Sequence, residues 1–292
     1  MKKVILGIFV AVMVFSLSGV AGAWKLIPTA DQAKEKAKAD KSLAIEKGEK
    51  GDFILSPPGL KKVVLIHYKK GFGGFCNNNG VCEKDLGENP SCADCSNVKD
   101  KPEDPTSTCS AFLGAKWTNL PIDYVIDPDN SYGLTEEFVA NAMVLGAEEW
   151  DSYTNADLFG GYTIDYNSSW DGSAPDGRNE LLFGDYQQDG VIAVTVIWGY
   201  FKGKPSNRGI VEFDILFDND FTWGDSLNGS STVMDLQNIA THEFGHGVGL
   251  ADLYDTVCVE ETMYGYSNYG DIEKRTLNAG DIEGIQQLYG GI

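Results

Sequence analysis

Histidine is scarce in this 292-residue sequence, which contains only His67, His242 and His246. Because imidazole is the commonest metal ligand in proteins, a histidine-based metal site should use His242 and His246, which are four residues apart. A second metal site built from histidines is excluded, so a further metal ion bound without cysteine should be calcium held by carboxylates. His67 lies far upstream, in a segment that we expect to be removed or displaced.

Basic residues are scarce after residue 105. Residues 106–292 hold 7 Lys/Arg against 30 Asp/Glu, a net charge of −23, whereas residues 1–105 hold 16 against 13, a net charge of +3. A body this acidic argues against nucleic acid and against anionic membrane surfaces as partners. It is compatible with calcium binding, with solubility at high salt or with a preference for basic substrates, and the charge alone does not choose among them.

Long apolar runs are absent except at the N-terminus, where Lys2 and Lys3 precede VILGIFVAVMVFSLSGV and a small-residue stretch ends at Ala23. This pattern is typical of a secretory signal peptide, with a membrane anchor as the alternative. We therefore expect cleavage after Ala23 and a secreted protein that has no membrane association once the signal peptide is gone. We expect the mature protein to act as a monomer.

Six cysteines, an even number in a chain predicted to be exported, suggest disulfides. Four of them cluster in residues 76–97, and the other two are Cys109 and Cys258. If the cluster pairs internally, the remaining pair would join the start of the large domain to the loop that follows residues 241–252. A zinc site built from the four clustered cysteines is the alternative, and export makes it the weaker one.

Composition divides the chain into a signal peptide, a candidate pro-segment, a cysteine-rich module, a linker with two prolines and one large domain. Acidic residues of the cysteine-rich module could ligate calcium, although a solvated, disulfide-held loop is the default interpretation; these residues are Glu83, Asp85, Glu88 and Asp94. The five segments are residues 1–23, 24–75, 76–97, 98–108 and 109–292.

Hydrophobic periodicity predicts an α+β fold for the large domain, with a mostly parallel or mixed sheet packed on helices. The upstream segment 24–50 has helical propensity, and KKVVLIHYKK, residues 61–70, is predicted to be a strand. The further predicted strands are 121–127, 179–186, 191–201 and 209–218, and the predicted helices are 134–153 with Thr135 as its cap, 232–250, and 277–290 with Asn278 as its cap.

The stretch THEFGHGVGLAD, from Thr241 to Asp252, contains the pattern HExxH. Residues four apart share one face of a helix, so His242 and His246 can hold one metal ion. Glu243 projects to a different side, where it can reach a metal-bound water rather than the metal. Gly249 lets the backbone leave the helix in a left-handed conformation, and the chain can then carry Asp252 to the third ligand position. Asp255 is the nearest substitute for Asp252.

HEFGHGVGLAD resembles the metzincin signature HExxHxxGxxH/D, and it is most similar to the matrixin branch with the aspartate variant of snapalysin-like peptidases. The stretch ETMYGY resembles the matrixin Met-turn, with Met263 beneath the metal and Gly265 where matrixins usually carry proline. Residues 116–127 and 277–290 resemble the first strand and the C-terminal helix of that family. The resemblance spans about residues 109–292 and implies a metzincin-like zincin fold, a twisted mixed β-sheet packed on an active-site helix, an earlier helix and a C-terminal helix.

The resemblance implies a zinc-dependent endopeptidase that acts on protein or peptide substrates. Zn²⁺ would be held by His242, His246 and Asp252, and Glu243 would be the general base for a metal-activated water. Met263 would be structural. Tyr264 or Tyr266 could stabilise the oxyanion, with simple packing as the alternative. Calcium would be a structural ion.

The resemblance also bears on substrate binding and latency. Residues 191–198 would form an edge strand that pairs with an extended substrate, with an interior strand as the alternative. Residues 24–105, which are slightly basic, could cover the cleft before maturation. The matrixin cysteine-switch motif is absent, and a blocking Cys76 thiolate is a weak alternative because a disulfide partner is close by. The rival function is an exported, calcium-stabilised binding protein with an inactive zincin fold, and the intact Glu243 argues against it.

Overall fold

The computed structural model describes residues 44–47, 53–56, 58–70, 72, 109–170 and 174–292. The predicted signal peptide, cysteine-rich module and linker lie outside the described residues. Strands β1 (Ala44–Lys47) and β2 (Phe53–Ser56) form an antiparallel pair. The helical prediction for residues 24–50 is therefore wrong over Ala44–Lys47, where pairing with a neighbouring strand outweighs a local helical propensity.

The described part contains nine further strands, which are β3 (Lys61–Lys69), β4 (Ile122–Ile126), β5 (Phe159–Ile164), β6 (Glu180–Gly184), β7 (Val191–Tyr200), β8 (Gly209–Asp218), β9 (Trp223–Gly224), β10 (Met234–Asp235) and β11 (Tyr266–Ser267). Strands β9 and β10 form a separate parallel pair, and the other seven form a central sheet in the order β11-β3-β7-β8-β6-β4-β5. The β4–β6, β6–β8, β4–β5 and β3–β11 pairs are parallel, whereas β3–β7 and β7–β8 are antiparallel, which confirms a mixed sheet.

Three α-helices accompany the sheet in the described residues: α1 (Glu136–Asp151), α2 (Leu236–Gly247) and α3 (Ala279–Tyr289). Each begins at a capping side chain. Thr135 accepts a hydrogen bond from the Phe138 amide, Asp235 accepts one from the Asn238 amide, and Asn278 forms a capping box with Asp281. The predicted caps Thr135 and Asn278 are thus confirmed, and helix α2 begins later than the predicted residue 232.

Helices α1 and α2 are in close contact. A Cβ on Gly146 of α1 would lie 2.9 Å from the Thr241 amide nitrogen, so only glycine permits this approach of the two backbones. The Trp150 indole donates a 2.7 Å hydrogen bond to the Thr241 carbonyl one turn further on. Helix α1 therefore fixes the position of α2, the helix that carries the HExxH pattern, against the sheet.

Strand β7 is an interior strand in this structure. It lies between β8 and β3, and nine of its ten residues are buried. The prediction that residues 191–198 form an edge strand therefore fails here, and the alternative of an interior position holds. The reason is that β3, from the segment expected to be removed or displaced, adds to the sheet beside β7.

Cys109 and Cys258 form a disulfide, as the cysteine count predicted, across a sequence separation of 149 residues. The bond joins the first described residue of the large domain to the loop after α2. A bridge that closes so long a loop removes much conformational freedom from the unfolded chain.

The double variant Cys109→Ser/Cys258→Ser should lower the free energy of unfolding by about 2–5 kcal/mol, because the unfolded chain regains the freedom that the bridge removes. Urea denaturation of the variant and the wild type measures the difference. Digestion without reduction, followed by mass mapping, should recover the two cysteines in one linked peptide; a free thiol at either position would contradict the pairing.

Within the residues that the structure describes, no helix has the length and apolar character needed to cross a bilayer.

Candidate metal centre and active site

His242 and His246 lie on one face of α2 and are completely buried. Their Nε2 atoms are 3.2 and 3.4 Å from Oδ1 of Asp252, whose side chain is 7 % exposed. Despite these short distances, both Nε2 atoms and Asp252 Oδ1 are buried without a hydrogen-bond partner. Three ligand atoms that converge and remain unsatisfied are what a bound cation requires, so the residues present fit a metal ion.

The hydrogen bonds of the two imidazoles set their tautomers. The Nδ1 atom of His242 lies 2.7 Å from the Thr262 carbonyl oxygen, and that of His246 lies 3.0 Å from the Leu250 carbonyl oxygen. A carbonyl oxygen only accepts, so each Nδ1 carries a proton, and Nε2 is the nitrogen through which the neutral ring would bind a metal ion. Burial lowers the pKa of His242 to about 4, which keeps this ring neutral at physiological pH.

Gly249 brings Asp252 to the histidines. Its φ is +108°, a backbone conformation that favours glycine, and a Cβ at this position would lie 2.6 Å from the Ala115 carbonyl oxygen. Both the backbone conformation and the lack of space therefore exclude a side chain. The next residues are tied to the Met-turn, because the Leu253 amide donates to the Met263 carbonyl and the Gly265 amide donates to the Leu253 carbonyl. Asp255, the predicted substitute ligand, is exposed and accepts a hydrogen bond from the Val257 amide, outside the metal cluster.

Met263 packs directly against helix α2. It is 2 % exposed, and a Cβ on Gly245 would lie 2.3 Å from its Sδ atom. Glycine between the two histidines of HEFGH is therefore required by the methionine that packs there. Asp281, at the start of α3, holds this turn in place by accepting hydrogen bonds from the Thr262 and Met263 amides at 2.6 and 3.1 Å.

Lys274 adds a buried amino group to the Met-turn. Lys274 is 6 % exposed, and its Nζ donates to the carbonyl oxygens of Thr262 and Tyr264. The Thr262 carbonyl thus accepts from both Lys274 and the His242 ring, which links the lysine to the orientation of a candidate ligand. Burial lowers the pKa of Lys274 to about 7.

Gly265, where the family pattern usually has proline, faces the ring of Tyr254. A Cβ at this position would lie 2.4 Å from Cε1 of that tyrosine, so Tyr254 fills the space that a larger residue would use. The rings of Tyr264 and Tyr266 pack on each other at 5.8 Å, and Tyr266 also packs on Tyr254 at 5.5 Å. These contacts agree with the packing alternative for Tyr264 and Tyr266.

Glu243 is completely buried, and both of its carboxylate oxygens have partners. The Thr195 hydroxyl donates to Oε2 at 2.5 Å, and His67 Nδ1 lies 3.2 Å from Oε1. The ring of His67 also lies 3.9 Å from that of His242, centroid to centroid. Burial raises the pKa of Glu243 to about 7, close to the value that suits a general base at neutral pH.

The placement of His67 corrects the sequence interpretation. Distance along the chain suggested that this histidine stands away from the site, yet strand pairing places it, fully buried, between Glu243 and Ser267. Burial lowers its pKa well below the usual value, so the ring is neutral; Nδ1–H donates to Glu243 and Nε2 accepts from the Ser267 hydroxyl at 3.0 Å.

Sequence reasoning missed Thr195, Tyr254, Lys274 and Asp281 as contributors to the site. No short motif singled them out as site residues, although Asp281 is the capping-box partner of Asn278, and each reaches the centre through a tertiary contact. His67 carried a usable signal, since it is one of only three histidines and lies in a predicted strand.

Comparisons with known proteins agree with this geometry. The family model described as Matrixin matches residues 187–290, which include β7, β8, α2, the Met-turn and α3. Stromelysin-1 of Rattus norvegicus is 35 % identical over 193 residues, which cover 62 % of this chain and 34 % of that protein. Matrilysin of Homo sapiens is 40 % identical over 77 residues, which cover 26 % of this chain and 27 % of that protein.

Macrophage metalloelastase of Oryctolagus cuniculus is 38 % identical over 78 residues, which cover 27 % of this chain and 15 % of that protein. The chain thus spans about a third or less of the length of these curated relatives. The similarity supports the fold and the type of site over the matched residues.

Proposed function

We propose that the chain is a zinc-dependent endopeptidase that cleaves protein or peptide substrates, because its residues 187–290 match the Matrixin family model. One observation carries the proposal. Two buried imidazole nitrogens and one carboxylate oxygen converge without hydrogen-bond partners, and a buried glutamate lies one residue from the first histidine. An inactive binding protein with the same fold, the rival function, has no need of a buried carboxylate such as Glu243, so we do not favour it.

In this proposal His242, His246 and Asp252 hold the zinc ion, and the aspartate takes the place of a third histidine. Zinc held there would lower the pKa of a water molecule and polarise the scissile carbonyl. Glu243 takes a proton from the attacking water and passes it to the leaving nitrogen. The Thr195 hydroxyl orients the Glu243 carboxylate through Oε2 and leaves Oε1 for this transfer once His67 is displaced.

The remaining assignments are also proposals. We infer a protein that is secreted after cleavage at Ala23, with residues 24–75 as a pro-segment and 109–292 as the catalytic domain. A structural calcium ion is a further proposal, and it rests on the excess of acidic residues in residues 106–292.

Removal of the metal tests the proposal. The purified protein should cleave a quenched fluorescent peptide, lose that activity after dialysis against a zinc chelator, and regain it when one equivalent of zinc is added back. Because calcium loss could also reduce activity through stability, the chelation is repeated with calcium in excess. Activity that survives complete zinc removal, measured by atomic emission, would contradict a zinc-dependent mechanism.

A further inference from the structure

Strand β3 fills a slot between two strands of the catalytic domain. On one side it pairs antiparallel with β7, from Lys61 opposite Gly199 to Tyr68 opposite Val191. On the other side its last two residues pair in parallel with Tyr266 and Ser267 of β11. The backbone groups that β7 and β11 would offer to an added strand are therefore engaged by a strand from the upstream segment.

The side chains of β3 anchor it on both faces. Leu65 is 6 % exposed and belongs to the main core, whereas Tyr68 is 1 % exposed and packs in a second apolar cluster that includes Val194 and Val196 of β7. The Gln188 side chain donates to the Tyr68 hydroxyl at 3.1 Å. Next to Tyr68, the fully buried His67 turns toward the active site.

His67 occupies the place next to the proposed base. Its ring donates to Glu243 Oε1 and lies against the His242 ring, so the space that an attacked carbonyl and its water would need is filled. A cavity of about 380 Å³ is lined both by Val63 and Leu65 of β3 and by Asp252 and Tyr254. The cleft therefore runs along β3 and past the candidate metal ligands.

We propose that β3 is an internal pseudo-substrate: residues 61–69 occupy the slot between β7 and β11 that an extended peptide would use, and His67 blocks Glu243. The inference rests on the proposed function, since it assumes that the slot receives peptides. Peptide recognition by strand addition needs a sheet edge with unpaired backbone groups, and β7 becomes such an edge only when β3 leaves. The chain with β3 in place is then a latent form, and displacement of this strand opens the site.

Two variants of the full chain test the proposal, with a third as control. His67→Ala removes the contacts with Glu243 and Ser267, and Leu65→Asp places a charge in a buried position of β3. Leu65→Met is the control, because it keeps an apolar side chain of similar volume at the same buried position. Hydrogen exchange of the β7 peptide, followed by mass spectrometry, reports whether β3 is bound without any reference to catalysis.

In Leu65→Asp, exchange of the β7 amides should accelerate by about tenfold or more, while α2 and β8 stay as protected as in the wild type. A synthetic peptide of residues 60–70 added to this variant should restore the protection of β7. Peptide cleavage should rise by about tenfold in both Leu65→Asp and His67→Ala, because a competing internal strand lowers the fraction of competent sites. In Leu65→Met, which keeps β3 packed, it should rise by less than about twofold.

The outcomes answer two separate questions: whether β3 can be displaced, and whether the protein is an endopeptidase. If Leu65→Asp loosens β8 and α2 together with β7, β3 is a permanent part of the fold and the proposal fails. The same conclusion follows if the wild type cleaves peptides as fast as Leu65→Asp while β7 stays protected. If no form cleaves any peptide although zinc is bound, the endopeptidase function fails, and the exchange result still shows whether the strand is displaceable.

Discussion

Glu243→Gln is expected to lower kcat/KM for peptide cleavage by about 10²–10⁴-fold while zinc stays bound. Glutamine preserves the size of the side chain and its ability to accept from the Thr195 hydroxyl, but it does not take up a proton at neutral pH. The loss therefore measures proton transfer rather than packing. The comparison is made in the form of the chain that shows the highest turnover, so that occupation of the cleft by β3 does not mask the effect.

Glu137→Gln is a suitable control, because it makes the same chemical change at a residue outside the site. Glu137 lies exposed on the first turn of α1. Zinc content by atomic emission and the thermal unfolding midpoint should be unchanged in both variants. Turnover by Glu243→Gln equal to that of the control would remove this residue from the role of general base, although the zinc assignment would stand.

Helix α2, which carries the HExxH pattern, and the turn that ends it could be predicted because the constraints on them are local. Helical spacing places His242 and His246 on one face, and a glycine that leaves the helix at positive φ directs the chain toward Asp252. The positions of these side chains agree with that expectation. The same local reasoning identified the caps of α1 and α3, since a capping side chain acts within three residues of its own position.

Strand pairing could not be predicted in the same way. The sequence indicated β3 as a strand, but which strand it pairs with depends on packing and on free sheet edges elsewhere in the molecule. Strand β5, FGGYTI, was missed because its two glycines weaken the local preference for strand. It forms because β4 offers it a parallel partner.

The error about His67 has the same origin. An upstream position suggested that the histidine would be absent from the site, whereas the structure brings it within hydrogen-bonding distance of Glu243 across 176 residues of sequence. Histidine scarcity therefore limits the candidate zinc ligands without limiting the residues that touch them. The candidate ligands are close together in sequence, whereas His67, which contacts Glu243, is not.

Asp252→Ala should lower the affinity for zinc by more than about 100-fold, a larger loss than typically follows removal of a residue that only orients a ligand. The reason is that Oδ1 of Asp252 is the carboxylate oxygen that faces both Nε2 atoms, and its removal leaves two neutral imidazoles in a buried site. Zinc should then stabilise the variant much less than the wild type, since ligand stabilisation scales with the logarithm of the concentration over Kd. Metal analysis after dialysis and zinc-dependent melting measure the two effects.

Asp255→Ala is the matched control, because it removes a carboxylate three residues away that is exposed and caps a short turn through the Val257 amide. It should keep full zinc occupancy and lose at most about 1 kcal/mol of stability with the cap. The opposite pattern, with zinc lost in Asp255→Ala and retained in Asp252→Ala, would assign the third ligand to the other aspartate. Occupancy retained in both variants would place it outside this loop, and His67 in β3, already within reach of His242, would be the next residue to replace.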